Sequence, residues 1–225
     1  MIKLFVCKLT DNNEDILLDK MSLLSSEMIE RLEKYKVKKD RALSTCSKLM
    51  LCTYAHIFQR DVFSDVNLIT DLDVFNEDTV EHIDIVYDEY GKAYLGDKSD
   101  IYFNISHSGE YCVLALSDEN VGVDIQQVRK VNLHIAGKWF NEKENAYVEG
   151  ASDEEEAYIR FARVWSAKES YAKLTGKGLS EPFNKFYEDF VDCFVIDDVS
   201  QKKVAKLCSY LIEEGYYCYT SSPVK

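Results

Sequence analysis

Residues 102–127, YFNISHSGEYCVLALSDENVGVDIQQ, constrain the fold more than any other part of the chain. Three apolar and aromatic runs, YFNIS, YCVLALS and VGVDIQ, are separated by HSGE and DEN, which are built from turn-forming residues. That is the pattern of consecutive short strands, so the middle of the chain belongs to a sheet. The pattern then changes period. Between Ser152 and Gly176 apolar residues recur at three- and four-residue spacing, which predicts a helix. Ser152 and Glu155 have the spacing of a capping box, and Gly176 is a C-terminal stop.

The same two periods extend over the rest of the chain. Residues 2–9 read as a strand. A helical pattern runs from Ser25 to about Arg60 with a break near Tyr35–Lys38. Segment 83–95 reads as strand, glycine turn and strand. Asn141 caps a helix through Glu144, and strands recur at 186–196 and 216–221. The order strand, helices, strands is thus repeated, which predicts an α+β chain of two similar-sized halves. The boundary falls near SDEN at 117–120, giving halves of 1–119 and 120–225.

Only two prolines and nine glycines among 225 residues leave little room for linkers. No apolar run is long enough to span a membrane, and the opening MIKLFVC reads as a first strand, not a signal peptide. The seven cysteines stand singly, without a CxxC pair. They point to buried thiols in a reducing, cytoplasmic compartment. A net charge of −13 disfavours nucleic acid as a partner. Against that background RLEKYKVKKDR, 31–41, places six basic residues beside two acids. The segment is either a solvated helix face or a patch for a small polyanion.

Four features can carry chemistry. Glu169 and Lys173 are one helical turn apart, which makes a surface ion pair the simplest reading. They also lie beside a stripe containing Tyr158, Phe161, Trp165 and Ala172, where a carboxylate needs a cation or metal as partner. Asp124 sits inside the apolar strand VGVDIQ, sharing a face with Gly122 and Gln126. That face is either solvated or an oxygen-rich site suited to Mg²⁺. The strand end Ser106-His107-Ser108-Gly109 in FNISHSG brings Ser106 and His107 together as possible phosphate ligands, while the absence of GxSxG speaks against a serine hydrolase. Lys92 follows a turn glycine in YGKAY.

Together, YGKAY, FNISHSG, VGVDIQ, WFNEKE and WSAKESYAKLTGKGL resemble the Sfp-type 4′-phosphopantetheinyl transferase superfamily. Its signature is a G-[IV]-D segment followed further along by [FW]-[SCT]-x-K-E-[SA]-x-x-K, matched here by Gly122–Asp124 and Trp165–Lys173. The resemblance implies two pseudo-symmetric α/β halves with the active site at the interface between them. It implies a cytoplasmic, monomeric enzyme that moves the phosphopantetheine arm of coenzyme A onto a serine of an apo acyl or peptidyl carrier protein. The product is 3′,5′-ADP, and the carrier systems are those of fatty-acid, polyketide or nonribosomal-peptide biosynthesis.

Carried over by motif, Asp124 and Glu169 would hold Mg²⁺, and Lys173 would neutralise the pyrophosphate. Glu169 would also act as base. Arg31, Ser44, Lys92, Ser106 and His107 would contact the nucleotide and its phosphates from the N-terminal half. Glu144 matches a further acidic position and is a candidate metal ligand. Three departures stand out. Gln126 replaces a common Glu and would reach the metal through water, and Ala93 replaces a common Pro. Leu43 stands where a basic residue is common, so one phosphate contact is absent or falls to Arg41. A Mg²⁺-dependent nucleotide phosphohydrolase and a non-catalytic module that binds CoA or a carrier are the alternative readings.

Overall fold

A computed structural model describes residues 1–60, 62–96, 100–180 and 182–224. Its contacts divide the chain into two units: Met1–Asp88 with Ala93–Glu119, and Glu89–Lys92 with Asn120–Lys225.

The first unit contains β1 (Ile2–Lys8), α1 (Glu14–Asp19), α2 (Ser26–Leu32), α3 (Lys38–Tyr54), β2 (Val66–Ile69), β3 (Ile85–Tyr87), β4 (Ala93–Leu95), β5 (Tyr102–Ser108) and β6 (Tyr111–Ser117). The sheet order is β2-β1-β6-β5, with β1 and β2 parallel and the other pairs antiparallel. β3 and β4 form a separate ribbon. The expected helical break is real: α2 ends at Leu32 and α3 starts at Lys38. Ser25 caps α2 by accepting from the Met28 N–H. Phe5, Leu49, Met50, Phe58 and Leu114 are fully buried between α3 and the sheet.

HSGE is a tight hairpin rather than a loop. Both His107 and Ser108 remain in β5, and only Gly109 and Glu110 turn, with Gly109 at φ +61°. A glycine meets that positive φ without steric cost.

The second unit contains β7 (Gly122–Gln127), α4 (His134–Trp139), α5 (Glu142–Glu149), α6 (Glu154–Thr175), β8 (Phe186–Asp189), β9 (Phe194–Asp197), β10 (Lys203–Tyr210) and β11 (Tyr216–Pro223). Its sheet runs β7-β11-β10-β9-β8, antiparallel throughout. The stretch 186–196 is therefore two strands, not one, and β10 is a strand that the sequence reading did not identify.

Two helix starts show how caps are chosen. Asn141 forms the expected capping box with Glu144. For α6, Asp153 is the cap instead of Ser152, its carboxylate accepting from the Glu156 N–H at 2.8 Å. A carboxylate next to the helix N-terminus also gains from the macrodipole, which a serine hydroxyl does not. Both units mix helix and sheet, as the α+β reading expects.

Candidate active site

The site in the second unit is set by how closely α6 lies on β7. A Cβ built on Gly122 would come within 2.0 Å of the Ser170 carbonyl oxygen and 2.4 Å of the Leu174 nitrogen. Small residues on the helix make the approach possible. The Ser166 hydroxyl donates to the backbone oxygens of Asp124 and Tyr217 at 3.0 and 3.1 Å. The hydroxyls of Ser170 and Ser221 meet at 2.7 Å. The helix is pinned to β7 and β11 by hydroxyls that its apolar packing would otherwise leave unpaired.

This contact buries Asp124 to 4% exposure, which removes the solvated-strand alternative. Its Oδ1 accepts from Lys173 Nζ at 2.7 Å. Lys173 thus reaches across to the strand carboxylate, so the surface-pair reading does not describe it. Glu169 is half-buried, and among the described residues no hydrogen bond or ion pair involves it. Its carboxyl is raised above the ordinary range, first by burial and then by the charge of Asp124, with Lys173 opposing. Two carboxylates that feel each other, one of them without a protein partner, form a site that favours an added cation. Gln126 lies on the same face of β7, half-buried, with its amide donating to the Gln127 carbonyl at 3.4 Å.

Glu144 belongs to a different cluster. Its Oε2 accepts from Lys168 Nζ at 2.8 Å and from the Asn141 N–H at 2.8 Å. The Lys168 ammonium also donates to the carbonyls of Phe183 and Phe186 at 2.7 and 2.9 Å. Glu188 lies 3.8 Å from that ammonium and is pushed well above the carboxylate range by burial and by Glu144. Two buried acids share one cation, which raises the proton affinity of Glu188. Glu144, expected as a candidate metal ligand, is thus engaged by Lys168 and by the start of α5. Among the described residues, no group of three or more His, Cys, Asp or Glu side chains is arranged to hold a metal.

Lys92, expected among the nucleotide contacts, belongs to the second unit. Its ammonium donates to Asn120 Oδ1 at 2.5 Å and to the carbonyls of Val121 and Leu174 at 3.3 and 2.8 Å. It neutralises the carbonyl end of α6, a favourable place for a cation.

The first unit carries the other expected residues. A cavity of about 580 Å³ is lined by Met28, Arg31, Leu32, Lys34, Tyr35, Ser44, Ser47, Lys48, Tyr87, Ile105 and His107. It brings Arg31, Ser44 and His107 together. Ser106 is buried on the opposite face of β5 from Ile105 and His107, because strand side chains alternate. Leu43 is 2% exposed in the core, and Arg41 does not line the cavity. The sequence reading missed Lys48 and Tyr87. Lys48 follows Ser44 by one turn of α3, and Tyr87 places its ring 4.2 Å from the Arg31 guanidinium.

A basic cavity in the first unit and an acidic pair with a lysine in the second are thus set in an α+β protein. A family model described as the 4′-phosphopantetheinyl transferase superfamily matches residues 120–221. Another, described as 4′-phosphopantetheinyl transferase, N-terminal, matches residues 11–119. The chain belongs to the 4′-phosphopantetheinyl transferase superfamily.

Among its relatives, 4′-phosphopantetheinyl transferase gsp of Aneurinibacillus migulanus is 35% identical over 131 residues, 58% of this chain and 54% of that one. 4′-Phosphopantetheinyl transferase Sfp of Bacillus subtilis is 40% identical over 98 residues, 44% and 43% of the two chains. This chain spans about half the length of these curated relatives. A crystal structure of Thermotoga maritima holo-[acyl-carrier-protein] synthase has a TM-score of 0.36 and 19% identity, covering 47% of this chain and 63% of that chain.

Proposed function

We propose that this chain transfers the 4′-phosphopantetheine arm of coenzyme A to a serine of an apo acyl or peptidyl carrier protein, releasing 3′,5′-ADP. The observation that carries this reading is the Asp124–Lys173 bond with the unpartnered Glu169 beside it. The relatives named above, both 4′-phosphopantetheinyl transferases, support it. The free thiols of Cys7, Cys46, Cys52, Cys112 and Cys218, all buried, support a cytoplasmic setting.

Magnesium binds through one or two carboxylates completed by phosphate oxygens and water. Asp124 and Glu169 fit that donor set, and Gln126 would reach the ion through water. When bound, the ion supplies neutralisation of the pyrophosphate charge. Arg31, Ser44 and His107 hold the nucleotide and its phosphate. Lys173 is close enough to Asp124 to be oriented by it, and its ammonium draws the pyrophosphate and balances the leaving phosphate.

The carrier serine loses its proton to Glu169, which burial makes a stronger base than an exposed glutamate. The serine oxygen bonds to the phosphorus bearing the pantetheine arm. The P–O bond to the adenosine bisphosphate breaks, and the leaving oxygen takes the electron pair. Positioning and charge supply most of the catalysis in such a transfer.

The test is to incubate the chain with coenzyme A, Mg²⁺ and apo carrier protein, then weigh the carrier. Gain of one phosphopantetheine unit is expected. Release of 3′,5′-ADP without any carrier would replace this reading with a phosphohydrolase. A panel of carriers that all stay unmodified, with no nucleotide released, would leave only a binding module.

A further inference from the structure

The first unit holds a cation that the family signature does not account for. Lys48 lies on α3 one turn beyond Ser44 and lines the 580 Å³ cavity together with Arg31, Lys34 and His107. It also lines an adjoining cavity of about 210 Å³ with Arg31 and Tyr87. Among the described residues no Asp or Glu lines the larger cavity, although the whole chain carries a charge of −13.

Among the described residues Lys48 makes no hydrogen bond or ion pair, whereas Arg31 already has Glu27 at 3.1 Å and the Tyr87 ring. Burial lowers the proton affinity of the Lys48 amine, and the Arg31 charge lowers it further against Cys52. A half-buried ammonium beside another cation is costly unless an anion joins them.

We propose that Lys48 is a phosphate-binding residue, completing with Arg31 a clamp for the 3′-phosphate of the nucleotide. The identity of that nucleotide rests on the transferase reading above. A phosphate monoester carries nearly two negative charges at neutral pH, so a single cation balances it poorly. Leu43 is sealed in the core and Arg41 lies off the cavity, so Lys48 is the cation that α3 brings to it. It therefore sets specificity for a 3′-phosphorylated nucleotide over one that lacks this group.

Titration calorimetry with 3′,5′-ADP and with 5′-AMP, in the absence of divalent metal, tests the assignment on the intact chain. The unsubstituted protein should prefer 3′,5′-ADP. Lys48→Met should weaken 3′,5′-ADP about tenfold or more, as loss of a charge-assisted hydrogen bond does, and leave 5′-AMP nearly unchanged. Lys48→Arg should retain the preference, and thermal melts should show both variants folded. Unchanged 3′,5′-ADP affinity in folded Lys48→Met overturns the inference. So does equal loss for both nucleotides, or no preference in the unsubstituted protein. Carrier modification is scored separately. A chain that binds through Lys48 but leaves every carrier unmodified would sink the transferase reading alone.

Discussion

Glu169 and Glu188 are both carboxyls raised chiefly by burial, yet they differ in what surrounds them. Glu188 is sealed beside Lys168 and Glu144. Its folded-state affinity lies well above the ordinary 4.5, which an unfolded chain would show. Above that ordinary value the unfolded chain releases the proton first, and stability falls as pH rises until the folded carboxyl also ionises. Glu188→Gln should flatten that part of the stability curve in urea denaturation, leaving the smaller contribution of Glu169. An unchanged slope would mean that Glu188 is already ionised in the fold. Among the described residues Glu169 has no hydrogen-bond or ion-pair partner, which suits the base role proposed for it. Glu169→Gln should cut the transfer rate by about 10²–10⁴-fold while leaving the melting curve in place. A rate within a few-fold of the original would remove Glu169 from the base role. Sequence motif alone pointed to Asp124, Glu169 and Lys173, because their spacing is local or carried by a signature. The Lys168 cluster was harder to read, since Glu144 and Glu188 reach it only through tertiary folding. One signal was present: Lys168 occupies a place on the apolar stripe of Phe161 and Val164, where a lysine must find acids.

At the scale of elements, the site depends on α6 lying against β7 without an intervening side-chain layer. Gly122 is the residue that permits it, through space and not through an unusual φ. Gly122→Ala would place a methyl group against backbone atoms of α6, which cannot rotate away as a side chain can. The helix must lift, at a cost of about 1–3 kcal/mol, and the Asp124–Lys173 bond should loosen with it. Chemical denaturation should show the loss, and transfer should fall more than stability does. A variant of unaltered stability would mean that the helix and strand are not in this close contact. The elements themselves were unevenly legible. The break between α2 and α3, the strands β5 to β7 and the Asn141 cap follow from local pattern. β10 escaped because Ala205 and Leu207, its buried residues, alternate with Lys206, and the run Lys203–Tyr210 reads as polar. β2 is a short, partly exposed strand beside β1, and its parallel pairing leaves no hairpin signal in the sequence.

For the whole molecule, the contrast in charge lies between the two sites: cations gather in the cavity of the first unit and acids beside Lys173 in the second. Such a separation assigns different ligands to different units, and each assignment has its own readout. Arg31→Met should weaken 3′,5′-ADP about tenfold in the absence of metal, because a cation in a partly desolvated cavity is lost. The Mg²⁺ concentration that half-saturates transfer should stay where it was. Asp124→Asn should do the reverse. Removing a carboxylate from the donor set should raise the Mg²⁺ requirement sharply or abolish transfer, while metal-free nucleotide binding is retained. Calorimetry without metal and a Mg²⁺ titration of carrier modification, run on both variants, separate the two effects. If Asp124→Asn weakened metal-free nucleotide binding as much as Arg31→Met does, the acids of the second unit would be holding the nucleotide site together. Charge would then not divide the work between the units.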